Sequence, residues 1–193
     1  MRIQDLANID GANRLRLALG LDEDQVSKIQ TLVSSMAGAN PHIKGTYVGK
    51  SSPGVSFYDF KNNRLGIGHK SSDVLAHEMG HAASLANASD FYKNLLRASK
   101  RASRISNTLS LPISTLIGLN PSMTRDQKDK AFDIATGISA ALAAPNLLEE
   151  LKASGSAIYH SPTKLRTAAA MVPGIVSHSF NDLAAPTTYY LSK

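Results

Sequence analysis

The chain has no cysteine. Disulfides and thiolate metal sites are therefore excluded, and histidine, aspartate and glutamate remain as the strong metal ligands. Glutamate is itself scarce, with Glu23, Glu78, Glu149 and Glu150 the only four. Against 21 Lys and Arg there are 15 acidic residues, a formal charge of +6. Such a balance attracts phosphate groups, anionic lipid or acidic partners and specifies none of them. The opening stretch "MRIQDLANIDGANRLRLALG" lacks the apolar core and small-residue cleavage site of a signal peptide. The expected location is cytoplasmic or particle-associated, or peripheral to a membrane. Long hydrophobic runs are also missing. Residues 105–124, 134–148 and 167–181 carry no Lys, Arg, Asp or Glu. Yet the first is polar and broken by Pro112, Gly118 and Pro121, the second is short, and the third holds Pro173, Gly174 and His178. These segments predict buried or semi-buried helices rather than spans, with a membrane-surface role as the alternative.

What is present reads as a folded protein. At 193 residues, 42% hydrophobic and 19% charged, the chain is long enough to bury its own core as one domain. Helices are predicted over 11–19 and 22–37, the second opened by Asp22, Glu23 and Asp24 and carrying Val26, Ile29, Leu32, Val33 and Met36 at helical spacing. In "VSFYDFKNNRLGIG" the alternation around Phe57, with Asn62-Asn63 as the turn and Arg64–Gly68 as the return strand, predicts a β-hairpin. Ser71, Ser72 and Asp73 offer N-caps for a helix over 73–87, and another helix follows over 90–104. The fold expected is mainly α with a small β-hairpin or sheet, an α+β domain.

The helix over 73–87 carries "HEMGH". Positions i and i+4 share a helix face, so His77 and His81 can point at one ion. Glu78 sits one residue round, within reach of a water on that ion. Zinc lowers the pKa of its water towards neutrality and a carboxylate takes the proton as the water attacks a carbonyl, which is why this chemistry favours H-E-x-x-H. Gly80 costs the helix about 1 kcal/mol relative to alanine, tolerable where close packing requires it. Small and apolar flanks (Val74, Leu75, Ala76, Ala82, Ala83, Leu85) place the motif on a buried helix, where two histidines without a metal would be awkward.

A catalytic zinc takes three protein ligands and keeps one position open. A histidine six residues beyond the motif is not available, because that position is Asn87. Glu23 stands at an exposed helix start. Glu149 and Glu150 remain, in "NLLEELKASGSAIYH", and Glu150 projects nearer the side shared by Leu147, Leu151, Ser154 and Ile158. Glu150 is the expected third ligand, with Glu149 the alternative.

"HEMGHA" followed about seventy residues later by Glu150, Ala153, Ser154 and Ala157 resembles the gluzincin metallopeptidases related to the HtpX heat-shock protease and the CAAX prenyl protease. It is closer to the bacterial membrane-associated neutral zinc metallopeptidases, which have serine where the others have aspartate. "LAAPTTYYLS", residues 183–192, is similar to their C-terminal tail. The resemblance runs in motif order over roughly 55–190 and is detailed at the two metal motifs. It implies a zincin-like zinc endopeptidase acting on protein or peptide substrates, with one Zn2+ on His77, His81 and Glu150 and Glu78 as general base. On this reading 1–193 is a single metallopeptidase domain, with 1–40 an N-terminal helical segment and 41–193 the catalytic core. It also implies an edge strand before the active helix to which substrate adds as a strand. Arg64–Gly68 occupies that place, with Gly66 and Gly68 admitting a close backbone. Ser154 in place of aspartate leaves the orientation of the histidines open. The families' membrane helices are reduced here to short, polar-interrupted segments, and membrane embedding is not carried over.

A peptidase also stabilises an oxyanion. Tyr159, His160, His178, Tyr189 and Tyr190 follow the third ligand, and His178 and Tyr159 are the candidates carried forward. Lys93, Arg97, Lys100, Arg101 and Arg104 form one basic helix face, read as solvated or as a contact for an anionic surface or membrane. Aromatics do not interleave with it, so a nucleic-acid partner is not expected. Two rivals to proteolysis stand: a zinc-binding structural or assembly component of a larger particle, and a zinc hydrolase acting on other bonds.

Overall fold

A computed structural model of the chain describes residues 1–161 and 163–192, with the side chains of 173–182 outside that description. The protein is mainly helical with one small sheet. In chain order the elements are α1 (Ile9–Leu19), α2 (Glu23–Ala39), β1 (Tyr47–Lys50), β2 (Phe57–Asp59), β3 (Arg64–Ile67), α3 (Ser72–Leu85), α4 (Asp90–Leu119), α5 (Arg125–His160) and α6 (Lys164–Leu191). Two short 3-10 turns, Ile3–Ala7 and Pro41–Gly45, precede α1 and β1. The chain forms two compact units. One is Met1–Ser89 with Glu149–Ile175, the other Asp90–Leu148 with Val176–Lys193.

The first unit holds a broad core. Ile3 and Leu6, then Ile29, Leu32, Val33 and Met36 of α2, meet Leu65 and Ile67 of β3 and Leu75, Ala76 and Met79 of α3. The N-terminal helical segment thus packs into the same core as the histidine-bearing helix. Local chemistry sets the helix starts as expected. Asp22 and Gln25 form a reciprocal capping box at α2, and Ser71 caps α3 by accepting from the Asp73 N–H at 3.2 Å. Asp73 is buried and accepts from Thr167 Oγ1 of α6 at 2.5 Å, which ties the start of α3 to α6.

The predicted hairpin is present, with β2 antiparallel to β3 and Tyr58 opposite Leu65. Asn63 turns the chain at φ 46°, a left-handed conformation that asparagine tolerates. Its Oδ1 accepts from Thr46 Oγ1 at 2.8 Å and from Tyr58 O–H at 2.9 Å. The expectation that Arg64–Gly68 is the edge strand is overturned. The strand order is β1-β3-β2, so β3 is central, with β1 parallel on its other side. The two glycines serve the chain's own packing. A Cβ on Gly66 would meet the Phe57 ring at 2.5 Å, and one on Gly68 would meet the Ser52 carbonyl oxygen at 1.9 Å. The outer side of β1 is bridged by Arg2 opposite Tyr47.

The second unit is built differently. α4 runs on through Pro112 to Leu119 rather than ending near 104. A proline inside a helix removes its own donor, yet α4 is held to α5 on one side of that point. Ser99 Oγ donates to the Leu142 carbonyl, and Ser106 and Ser139 hydroxyls lie 2.8 Å apart. The apolar cluster here is small: Phe132, Ala185 and Tyr189, with Ile113 and Ile117 against it. In the first two uncharged segments the helices are semi-buried, with Ser110, Ser114, Ser139 and Ala143 buried while Ile105, Leu109, Leu116, Leu119, Ile134, Ile138 and Leu148 are exposed.

Candidate metal centre

The site begins with a glycine. α3 lies so close to the last turns of α5 that a Cβ on Gly80 would sit 2.2 Å from the Ala153 carbonyl oxygen. That approach sets the face of α3 bearing His77 and His81 directly against the face of α5 bearing Glu150 and Ser154. Close packing of the kind that makes the helical cost of glycine tolerable is present here.

The rings of His77 and His81 stand edge to face with centroids 4.7 Å apart. Both turn Nε2 to the same carboxylate oxygen: Glu150 Oε2 is 3.2 Å from His77 Nε2 and 3.5 Å from His81 Nε2. One ligand atom from each residue lies within 4.8 Å of the other two, and the group could hold a metal ion. The three side chains are 13–15% exposed, enough for access while shielding most of the charge.

The opposite ring nitrogens are also engaged. Ser154 Oγ is 3.2 Å from His77 Nδ1, and Glu149 Oε1 is 3.4 Å from His81 Nδ1. Ser84 Oγ donates to Glu149 Oε2 at 2.8 Å and holds that buried carboxylate in place. With a metal ion at the centre, these partners would take the Nδ1–H towards Ser154 and Glu149 and leave each Nε2 lone pair for the ion. The two adjacent glutamates therefore divide the work: Glu150 faces both Nε2 atoms and Glu149 orients His81 from behind. Ser154 reaches His77, so that ring is not left unsupported. Glu149's part was not legible in the sequence, where it stood only as a rival ligand. Adjacent carboxylates on one helix face diverging directions, a signal that both could be used.

The field at this centre favours positive charge. Burial works against a charged His81, yet the Glu149 and Glu150 hydrogen bonds and the charges of Glu150 and Glu78 together raise it to about 9. A cation placed there meets the same field. Burial pushes the Glu78 carboxyl up from its ordinary value; the two histidines pull it down, Glu150 adds to the rise, and the Tyr58 backbone N–H lowers it.

The oxyanion candidates are not gathered here. Tyr159 is 72% exposed, against His160 and under the Lys164 ammonium. It lies nine residues past Glu150, about 13 Å along the helix and half a turn round. His160 Nδ1 is 3.0 Å from Ser35 Oγ. Tyr189 is buried in the cluster of the second unit and Tyr190 is exposed. The His178 side chain lies outside the described part of the structure. His42 Nε2 donates to the Ala83 carbonyl at 2.9 Å, and His69 accepts from Ser71 N–H in its loop.

Comparison with protein-family models, with curated proteins and with solved structures returns no match to this chain.

Proposed function

We propose that the protein is a zinc-dependent endopeptidase of the gluzincin type, in which His77, His81 and Glu150 hold the ion and Glu78 is the general base. The observation that carries this reading is the convergence of both Nε2 atoms on Glu150 Oε2 at 3.2 and 3.5 Å. Zinc binds nitrogen and oxygen at about 2.0–2.1 Å, so tetrahedral ligand atoms lie about 3.3–3.4 Å apart. The two separations bracket that value, and a set of two imidazoles and one carboxylate leaves a fourth position open. When bound, zinc supplies Lewis acidity towards a water and towards the scissile carbonyl.

The chain's own residues supply the rest. The Glu78 carboxylate takes the proton of the attacking water and delivers it to the leaving amine. Ser154 and Glu149 keep the two imidazoles in the tautomer that binds metal through Nε2. β2 lies at the edge of the sheet and packs against α3, the helix that carries Glu78. An extended peptide paired with that edge would pass beside the base, a substrate geometry of strand addition. The test is cleavage of a denatured protein by the zinc-loaded wild type and by Glu78→Gln. Cleavage lost in the variant at unchanged zinc content is the expected result.

The position of Tyr159, turned out to solvent, favours a second reading. In it the ion clamps α3 to α5 as a structural element of an assembly, with little hydrolysis. One zinc per chain with no Glu78-dependent cleavage would select it.

A further inference from the structure

α4 presents three distinct faces. Taken at 100° per residue, Ser99, Ser103, Ser110 and Ser114, all buried, fall within an arc of about 60°. Phe91, Leu95, Ile105, Leu109, Leu116 and Leu119 are 40–78% exposed and fall within about 120° of one another on a second face, while Leu111, 68% exposed, lies outside it. The five cations Lys93, Arg97, Lys100, Arg101 and Arg104 occupy a third arc of about 100° beside the apolar one, with no acidic residue from 91 to 104. The neighbouring helix matches. α5 buries Ser139 and Ala143 and exposes Ile134, Ile138 and Leu148, and only 17% of its most apolar eighteen-residue window is buried.

This is the reverse of a helix pair built for water, in which large apolar side chains face inward and serines outward. Helices that meet through small and hydroxyl residues while turning leucine and isoleucine outward belong against hydrocarbon. A cationic face flanking the apolar face adds the second requirement of an interfacial helix, contact with lipid phosphates. The uncharged stretch 134–148 spans about 22 Å of helix, short of the roughly 30 Å hydrocarbon core. Beyond it α5 continues into Glu149 and Glu150, which belong to the metal centre. By length and composition α5 passes as a membrane-crossing helix, but its continuation into the metal centre suits the pair to lying in the surface.

We propose that the α4–α5 pair docks on an anionic lipid bilayer, with the outward apolar side chains of both helices in the acyl boundary and the cations of α4 on the headgroup phosphates. This surface role is independent of whether the metal centre hydrolyses peptides.

The test is flotation of the full-length protein with vesicles of phosphatidylcholine alone or mixed with phosphatidylglycerol. Flotation with the mixed vesicles, weak with phosphatidylcholine alone and released by high salt, is expected. Lys100→Glu with Arg104→Glu is expected to lower the bound fraction by about tenfold or more, since each cation near a charged membrane is worth about 1 kcal/mol. Leu109→Glu with Leu116→Glu should abolish flotation, and because both side chains are exposed its helical content should match wild type. Three results would overturn the proposal. They are wild type failing to float with mixed vesicles, the leucine variant floating as well as wild type, or flotation that survives both high salt and alkaline carbonate. A wild type that stays off vesicles and self-associates, while the leucine variant is monomeric, assigns the face to a second copy of the chain instead.

Discussion

Gly80 of α3 faces the backbone of Ala153 in α5, with room for no further atom: a Cβ there would approach the carbonyl oxygen to 2.2 Å. The contact sets the distance between the histidine pair and Glu150. Gly80→Ala must push the helices apart or strain them, at a cost of about 1–3 kcal/mol. The larger effect should fall on the metal, because a ligand displaced by an ångström no longer closes the cage. Thermal unfolding and equilibrium dialysis of zinc measure the two consequences. Unchanged zinc affinity in this variant would show that the spacing of α3 and α5 does not set the site.

Glu149→Gln keeps the size of the side chain and removes its charge from behind His81. The expected outcome is zinc affinity lowered by about 10–100-fold, with the fold retained, as for other residues that orient a metal-bound histidine. Competition with a chelator reads the affinity directly. Equal affinity would remove Glu149 from the site's working parts.

Ser154→Ala isolates the corresponding partner of His77. The hydroxyl is buried and its loss leaves Nδ1 of a mostly buried ring without its 3.2 Å contact to that residue. Weaker zinc binding in the same range is expected. Restoration by Ser154→Thr, which keeps the hydroxyl, distinguishes orientation from a packing defect.

The alkaline limit of stability is expected to involve Tyr58. Burial, with the charge of Asp59, raises its hydroxyl from 10 to about 12. Below pH 10 the hydroxyl is protonated in both folded and unfolded chains. Between 10 and 12 the unfolded chain releases the proton and the folded one retains it, so stability falls as pH rises through that window. With the residue only half-buried, the loss is about 1 kcal/mol after allowance for solvent screening. Urea midpoints at pH 9 and 11 should diverge more for wild type than for Tyr58→Phe. Parallel midpoints would assign the alkaline loss to other groups.

Much of this was legible in the chain because its causes are local. Ser71 before the apolar run marks the start of α3, Asp22, Glu23 and Asp24 mark that of α2, and Asn62-Asn63 marks the turn of the hairpin. The pairing of His77 with His81 follows from helical periodicity alone. What could not be read depends on contacts distant in sequence. β1 is four residues long and pairs with β3 from the far side, which makes β3 central and leaves β2 as the open edge. The charge-free segments look like core in a linear reading, and only the pairing of α4 with α5 through serines turns their leucines outward. Glu149 could be told from Glu150 only once α5 lay against α3, when one carboxylate met Nε2 and the other Nδ1.

Metal analysis of the purified protein tests the centre itself most directly, comparing wild type with Glu150→Gln. The account predicts one zinc per wild-type chain and loss of most of it in the variant, since two imidazoles alone hold the ion weakly. Wild type free of zinc after incubation with the metal, or a variant that retains a full equivalent, would contradict it.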